Sequence, residues 1–162
     1  MKKYLVIIIG CSLLLTAMFG CNQHNENNYN EAASISSADD LPVNPLLEKV
    51  ITTTIHPADS TMSTLYANDI AWNYASSHKD FNYPEGAELY EVTWRQKPDK
   101  VWFGANIPEE IIRVECLTFS DMKLPTYTCY RGRPLKKAVS NNPSYEGRRI
   151  KEIESQRMAV AP

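Results

Sequence analysis

Histidines and cysteines are the side chains of this 162-residue chain best suited to metal, haem or thiol chemistry. The three histidines are His24, His56 and His78, and the four cysteines are Cys11, Cys21, Cys116 and Cys129. No regular ligand spacing connects the histidines, so a metal site made by His56, Asp59 and His78 is a secondary interpretation. The positions of the residues in the sequence do not predict a Ser-His-Asp set, paired carboxylates in an apolar context or a thiol beside a histidine. We therefore predict no catalytic residue, no metal and no other cofactor.

The first 20 residues have the layout of a secretory signal peptide. A basic start precedes an apolar run from Tyr4 to Ala17, and Gly20 stands directly before Cys21. This junction resembles the lipobox of bacterial lipoproteins, in which the cysteine takes a diacylglycerol and becomes the new N-terminus. We predict a signal peptide over residues 1–20 and lipidation of Cys21. Ordinary secretory cleavage nearby and an uncleaved anchor are the alternatives.

The residues after Cys21 are typical of a tether. From Asn22 to Asp40 almost nothing is apolar, which is too little burial to offset the entropy of ordering. We predict a disordered polar tether over residues 21–42 and a globular domain over 43–162. The lipid anchors the domain to a membrane of the cell envelope. Because Asn22 replaces the Asp associated with inner-membrane retention, the predicted location is the outer membrane, facing the periplasm or the surface.

The charge balance argues against a nucleic-acid partner. Without its first 20 residues the chain keeps 15 basic and 19 acidic side chains, a net charge of −4, since Lys2 and Lys3 leave with the signal peptide. Nucleic-acid phosphates require a clustered basic surface instead.

The periodicity of the domain predicts an α+β fold, an antiparallel β-sheet flanked by helices. Three helices are predicted: a short one opened by Asn44 and Pro45 and including Val50 and Ile51, a long one from Asp59 or Ser60 to Ser77, and a last one from Tyr145 to Met158. The last helix is predicted to have Ile150, Ile153 and Met158 on one apolar side. Predicted strands are Glu88–Arg95, Val101–Gly104, Ile111–Phe119 and Thr126–Tyr130. Five charged residues of the last helix are interpreted as a solvated face without function: Arg148, Arg149, Lys151, Glu152 and Glu154.

Two cysteines of the domain are candidates for a disulfide. If residues 121–124 form a four-residue hairpin loop, Cys116 faces Cys129 directly across two strands, within disulfide distance. An exported domain meets an oxidising environment, so we predict the bond. The alternative is a pair of buried free thiols.

Three segments, STLYANDIAW, NYPEGAELYEVTW and RVECLTF, occur in an order that resembles the cytochrome P-460 family. The resemblance implies an antiparallel sheet flanked by helices, often in a homodimer. Family members with a known role attach a c-type haem through a Cys-x-x-Cys-His motif, and this chain lacks that motif. The resemblance therefore implies a haem-less domain that binds a small ligand or an envelope protein. The alternative is a redox enzyme or sensor with non-covalent haem or a metal.

Aromatic and polar residues of the resembling region are the weak candidates for a ligand pocket: Tyr66, Asn68, Asp69, Trp94, Trp102 and Phe103. The aromatic side chains either wall a cavity or belong to the core. Asn68 and Asp69 either line that cavity or form hydrogen bonds with neighbouring backbone. The core and backbone-bonding roles are favoured.

Overall fold

The domain is an antiparallel sheet with two helices on one side, seen in a computed structural model that describes residues 30–120, 124–139 and 142–158. Six strands lie in the sheet in chain order, each antiparallel to the next. They are β1 Lys49–His56, β2 Thr61–Ala67, β3 Glu88–Pro98, β4 Asn106–Thr118, β5 Thr126–Arg131 and β6 Lys136–Ala138. The helices of these ranges are α1 Asp69–Ser77 and α2 Pro143–Glu154. The predicted α+β class is confirmed.

The predicted signal peptide, Cys21 and residues 22–29 lie outside the described residues, so their assignments stay predictions. Within the described ranges, no helix combines the length and the apolar character needed to cross a membrane.

The side of the sheet covered by α1 and α2 is called here the helix face. It carries Leu65, Leu89 and Leu117, which are fully buried against Ala71 of α1 and Ile153 of α2. Ile153 was predicted to lie on the apolar side of the last helix, and this is confirmed. The hydrophobic contact of both helices with the central strands holds them on this face.

The opposite side, called here the segment face, is covered by irregular chain. Its buried side chains come from β3, β4 and β5 and include Tyr90, Val92, Trp94, Val114, Cys116 and Tyr130. The cover consists of apolar side chains that precede β1, namely Ala33, Ile35, Leu41 and Leu46. This segment lies mostly before residue 43, where the sequence predicts the domain to begin.

The prediction of a disordered tether is therefore wrong for residues 30–40. The Asn30 amide donates hydrogen bonds to the carbonyls of Pro108 and Glu109, at 3.1 and 2.8 Å. At the other end of the segment, the Asp39 carboxylate accepts a bond of 2.7 Å from the backbone N–H of Leu135. The composition is polar, but the few apolar side chains of this segment pack against the apolar residues of the segment face.

The long predicted helix is divided between a strand and a shorter helix. Its first part is β2, and α1 begins only after Asn68, which is the N-cap. The Asn68 side-chain oxygen accepts from the N–H of Ala71 at 2.9 Å and of Glu88 at 3.2 Å, and its amide donates to the Gly86 carbonyl at 2.8 Å. The favoured role of Asn68, hydrogen bonding to neighbouring backbone, is confirmed.

Two other assignments change in the structure. Asn44 does cap a helical turn, but that turn is only the 3₁₀ segment Pro45–Leu47, and Val50 and Ile51 belong to β1. Val101–Gly104 is an exposed loop between β3 and β4 rather than a strand, because the Asp99 carboxylate accepts from the N–H groups of Val101 and Trp102 and turns the chain.

The cysteine pairing is also wrong, by one residue of register. Cys129 lies opposite Glu115, and Cys116 lies opposite Thr128. Neighbouring residues of a strand point to opposite faces, so Cys116 is buried on the segment face and Cys129 on the helix face. Both are free thiols, which is the alternative that the sequence left open.

Candidate functional site

A cluster of buried charges lies at the centre of the helix face. Glu91 of β3 and Glu115 of β4 are directly opposite each other, and both are buried. Arg149 of α2, whose side chain is only 13 % exposed, binds both carboxylates. Its Nε and Nη2 donate to the two oxygens of Glu115, at 2.9 and 2.8 Å, in a bidentate fork.

Further polar side chains complete this cluster, named here the Glu91–Glu115–Arg149 cluster. The Tyr127 hydroxyl donates to Glu115 at 2.7 Å, and the Gln156 amide donates to Glu91 at 2.9 Å. The Arg113 guanidinium lies 3.0 Å from Glu115. Arg149 also donates to the half-exposed Glu152 carboxylate at 2.5 Å. Two buried carboxylates and one half-exposed carboxylate therefore face two guanidinium groups.

The hydrogen bonds decide the ionisation of Glu115. Burial alone raises the pKa of a carboxyl, but the bonds from Arg149 and Tyr127 outweigh burial and hold the pKa of Glu115 below its ordinary value. Burial and the bond to Glu115 raise the pKa of the Tyr127 hydroxyl. An ionised carboxylate with no proton to give and no open access to solvent is suited to holding α2 on the sheet, not to acid catalysis.

This cluster corrects two interpretations of the sequence. Arg149 was assigned to a solvated face without function, and paired carboxylates in an apolar context were not expected. A signal for the burial of Arg149 exists in the sequence. Arg149, Ile153 and Gln156 follow one another at steps of four and three residues, so helical phase puts the arginine on the same side as the buried isoleucine.

Next to the cluster, an open groove lies between the last two strands and the start of α2. Two adjoining cavities of about 360 and 210 Å³ occupy it. The residues that line the smaller cavity define the tyrosine–cysteine groove: Tyr127, Cys129, Arg131, Ala138, Val139 and Tyr145. The larger cavity adds the opposite charges of Lys137 and Glu146.

The local structure explains why these side chains converge. Tyr127, Cys129 and Arg131 alternate along β5 and so share the helix face. Asn142 caps α2 by accepting from the N–H of Tyr145 at 3.1 Å, which fixes the first turn of the helix beside β5. One wall of the groove is therefore strand and the other is helix.

Arg131 gives the groove its electrostatic character. A hydrogen bond with the Cys129 sulfur raises the pKa of the Arg131 guanidinium, which stays charged. Among the described residues no carboxylate lies within 4 Å of this guanidinium, in contrast to Arg149 or Arg95. An exposed cation beside two tyrosines and two small apolar side chains can bind an anion that also carries an apolar or aromatic part.

The structure does not bring together the six residues predicted to line a pocket. Tyr66 and Trp94 pack on the segment face, Asn68 and Asp69 begin α1, and Trp102 and Phe103 lie on the loop between β3 and β4. Trp94 is buried and its indole N–H donates to the Ala33 carbonyl at 3.0 Å, so it is a core residue as favoured. The exposed carboxylate of Asp69 pairs with Lys49 at 2.8 Å.

The secondary metal interpretation is not supported by the positions of its residues. His56 lies 3.2 Å from the Ser63 hydroxyl, and the His78 ring stacks on Tyr74 with centroids 4.2 Å apart. In the part of the chain that the structure describes, no three His, Cys, Asp or Glu side chains are grouped to hold a metal ion. His56, Asp59 and His78 therefore do not form a site.

The groove residues were missed because their signal is weak in the sequence. Tyr127, Cys129 and Arg131 fit the alternation of an ordinary half-buried strand, and only the pairing of β5 with β6 and the return of α2 make them a concave surface. Comparison with protein-family models and with curated proteins finds no match for this chain.

Proposed function

We propose that the chain is an exported lipoprotein of the cell envelope, with a cytochrome P-460-like domain that binds a small anion with an aromatic or apolar part. The observation that carries the binding site is Arg131, a guanidinium without a carboxylate partner among the described residues, which lines the tyrosine–cysteine groove together with Tyr127 and Tyr145. The signal layout of residues 1–20 and Cys21 supports the membrane attachment.

The chemistry of the groove supports this class of ligand over others. Its wall combines Tyr127 and Tyr145 with the small apolar Ala138 and Val139, which suits a flat apolar body. The cavity of about 210 Å³ suits a molecule of roughly one ring rather than a large cofactor. The charge of Arg131 supplies orientation through charge-assisted hydrogen bonds.

Benzoate is a suitable probe for this proposal, because it pairs one aromatic ring with one carboxylate. We expect the full chain in detergent to bind benzoate saturably in saturation-transfer NMR. Arg131→Gln should weaken the binding about tenfold or more, since a charge-assisted hydrogen bond contributes about 1.5–3 kcal/mol.

The control is Arg95→Gln, which removes an exposed arginine that already pairs with Glu110 at 2.9 Å. It should leave benzoate binding unchanged. Cyclohexanol, an uncharged ring, should bind the wild type and Arg131→Gln equally. Binding of benzoate that does not saturate, or that Arg95→Gln weakens as much as Arg131→Gln does, would refute the groove as the site.

A further inference from the structure

The loop between β3 and β4 exposes three large apolar side chains in sequence. Val101 is 82 % exposed, Trp102 is 71 % exposed, and Phe103 is fully exposed. An isolated apolar side chain on a surface is ordinary, but three adjacent ones including a tryptophan form a patch that calls for a partner. Lys97 and Lys100 flank the patch.

The loop is built to present these side chains. Asp99 accepts from the backbone N–H of Val101 at 2.7 Å and of Trp102 at 3.2 Å. Gly104 has a φ of +82°, a left-handed conformation that closes the loop so that the Ala105 N–H reaches the Trp102 carbonyl at 3.1 Å. The apolar residues therefore occupy a defined turn that is held by these backbone hydrogen bonds.

The loop also lies at the end of a projecting hairpin, named here the finger and comprising residues 96–108. β2 ends its pairing with β3 at Arg95, so the last three residues of β3 extend beyond it by about 10 Å. On the other side of the hairpin, the pairing of β4 with β5 begins at Arg113, so the residues of β4 before Arg113 are not paired with β5. The tip of the finger is thus the part of this sheet end that reaches furthest out.

The chain before the domain begins at this same end. Asn30 is held by the carbonyls of Pro108 and Glu109, about 7 Å along β4 from the start of that strand at Asn106. The other end of β4, at Thr118, is about 30 Å further away. The chain that precedes Asn30 therefore leaves the domain beside the finger.

The distance from Asn30 to the predicted membrane attachment is short. Cys21 precedes Asn30 by nine residues, which span at most about 30 Å even when fully extended and about 17 Å as a flexible chain. A lipid on Cys21, or an uncleaved apolar segment ending there, puts the bilayer within that distance of the finger end of the sheet.

We propose that the finger inserts Trp102 and Phe103 into the surface of the membrane to which the chain is attached. Tryptophan is favoured at the boundary between headgroups and acyl chains, and the flanking lysines suit anionic headgroups. This docking gives the domain a fixed orientation, with the finger end towards the lipid. The inference rests on the proposed membrane attachment and is independent of the tyrosine–cysteine groove.

The test uses the full chain reconstituted into vesicles of equal parts phosphatidylcholine and phosphatidylglycerol, with or without brominated acyl chains that quench tryptophan at the depth of the lipid tails. The chain has three tryptophans, of which Trp94 is buried. We expect brominated lipid to quench the wild type, and Trp102→Phe to lower the quenched fraction about twofold or more, because Trp102 is the tryptophan at the tip. The matched control Trp72→Phe removes a tryptophan away from the tip and should not lower that fraction; it should raise it, because one unquenched emitter fewer contributes to the total.

The outcomes separate docking from attachment. A chain that floats with the vesicles but shows equal quenching in the wild type and in Trp102→Phe overturns the docking while attachment stands. A chain that does not float overturns both. Protection of Trp102 from aqueous iodide without quenching by brominated lipid indicates a protein or a second copy on the patch and also overturns the proposal. Phe103→Ser, at an exposed position that leaves the fold intact, should lower the quenching of Trp102.

Discussion

The two faces of the sheet bury their side chains by different means. The helix face contains the Glu91–Glu115–Arg149 cluster in its centre, whereas the segment face is lined by apolar and aromatic side chains such as Val92 and Trp94. The helices satisfy their own backbone hydrogen bonds, so the side chains of α2 are free to bring charge to the sheet. The irregular segment forms short turns instead, with bonds such as those from the Ala33 N–H to the Asn30 carbonyl at 3.0 Å and from the Asp39 N–H to the Ser36 carbonyl at 3.2 Å.

Polar contacts at the margins of the segment attach it to the sheet. Asn30 bonds to β4 carbonyls, Asp39 bonds to the N–H of Leu135, and the N–H of Asp40 donates to the Leu135 carbonyl at 2.9 Å. Between these points its apolar side chains meet an apolar face. A helical cover thus tolerates buried charge beneath it, while an irregular cover depends on a few polar contacts around an apolar centre.

The largest effect is expected from removing the positive charge at the centre of the helix face. Arg149→Met leaves the Glu91 and Glu115 carboxylates buried with too little compensation, and we expect it to lower the free energy of unfolding by about 3–5 kcal/mol in urea titrations. Arg148→Met is the control. It removes an exposed arginine one residue earlier, which lies 3.7 Å from Glu152, and should change stability by about 0.5 kcal/mol or less.

A triple variant distinguishes charge from packing. When Glu91→Leu and Glu115→Leu accompany Arg149→Met, neither buried carboxylate remains, and the Arg113 guanidinium that loses Glu115 belongs to a side chain that is 30 % exposed to solvent. We therefore expect most of the lost stability to return. If Arg149→Met and Arg148→Met are equally mild, the buried cluster does not hold α2 and the contrast between the faces is lost.

A smaller effect is expected at the margin of the segment face. Asp39→Ala removes the acceptor for the N–H groups of Ser36 and Leu135, both at 2.7 Å, and should lower the free energy of unfolding by about 1–3 kcal/mol. Asp40→Ala, which removes an exposed partner of Lys136, is the neighbouring control. It should lower the free energy of unfolding by about 0.5 kcal/mol or less.

The effect of Asp39 should depend on pH in a defined direction. Burial raises the pKa of this carboxyl, but the backbone hydrogen bonds from Ser36 and Leu135 outweigh burial and hold the pKa below its ordinary value of 3.8. A lowered pKa in the folded state stabilises the protein above the ordinary pKa, and the contribution is lost as pH falls through the folded value. The difference between wild type and Asp39→Ala should therefore shrink below about pH 4. A segment detached from the sheet would show no difference at any pH.

The sequence predicted the elements whose signals are local. β3 and the apolar side of α2 follow from alternation and from helical spacing, and the cap at Asn44 follows from an asparagine before a proline. These signals need no knowledge of what packs against them.

The first half of the long predicted helix shows where such signals fail. Met62, Leu65 and Tyr66 are spaced as on a helix, but they lie on β2, which is buried on both faces and so does not alternate. The run Val101–Phe103 has the composition of a strand, yet Asp99 and Gly104 turn it into an exposed tip. Strand burial and loop closure both depend on contacts distant in sequence.

The candidate site was less predictable than the fold. Tyr127 and Tyr145 come from different elements and meet only because α2 returns to the end of the sheet, while the predicted pocket residues are divided between core, cap and tip. Likewise, the cover of the segment face comes from a polar stretch with few apolar side chains. The average composition of this stretch predicts disorder, not packing on the sheet.

The smallest expected effect concerns the two cysteines, which mark the two faces. Since Cys116 lies on the segment face and Cys129 on the helix face, reductant should leave the free energy of unfolding unchanged within about 0.5 kcal/mol. When the protein is unfolded without reductant, an alkylating reagent should modify both Cys116 and Cys129.

A positive control uses the pairing register of β4 and β5. Thr128→Cys puts a thiol directly opposite Cys116, and with Cys129→Ser it should form a disulfide on mild oxidation, because opposed residues have Cα atoms about 4.5–5.5 Å apart. A native Cys116–Cys129 bond, with no bond in the control, would shift β5 by one residue and exchange its side chains between the faces.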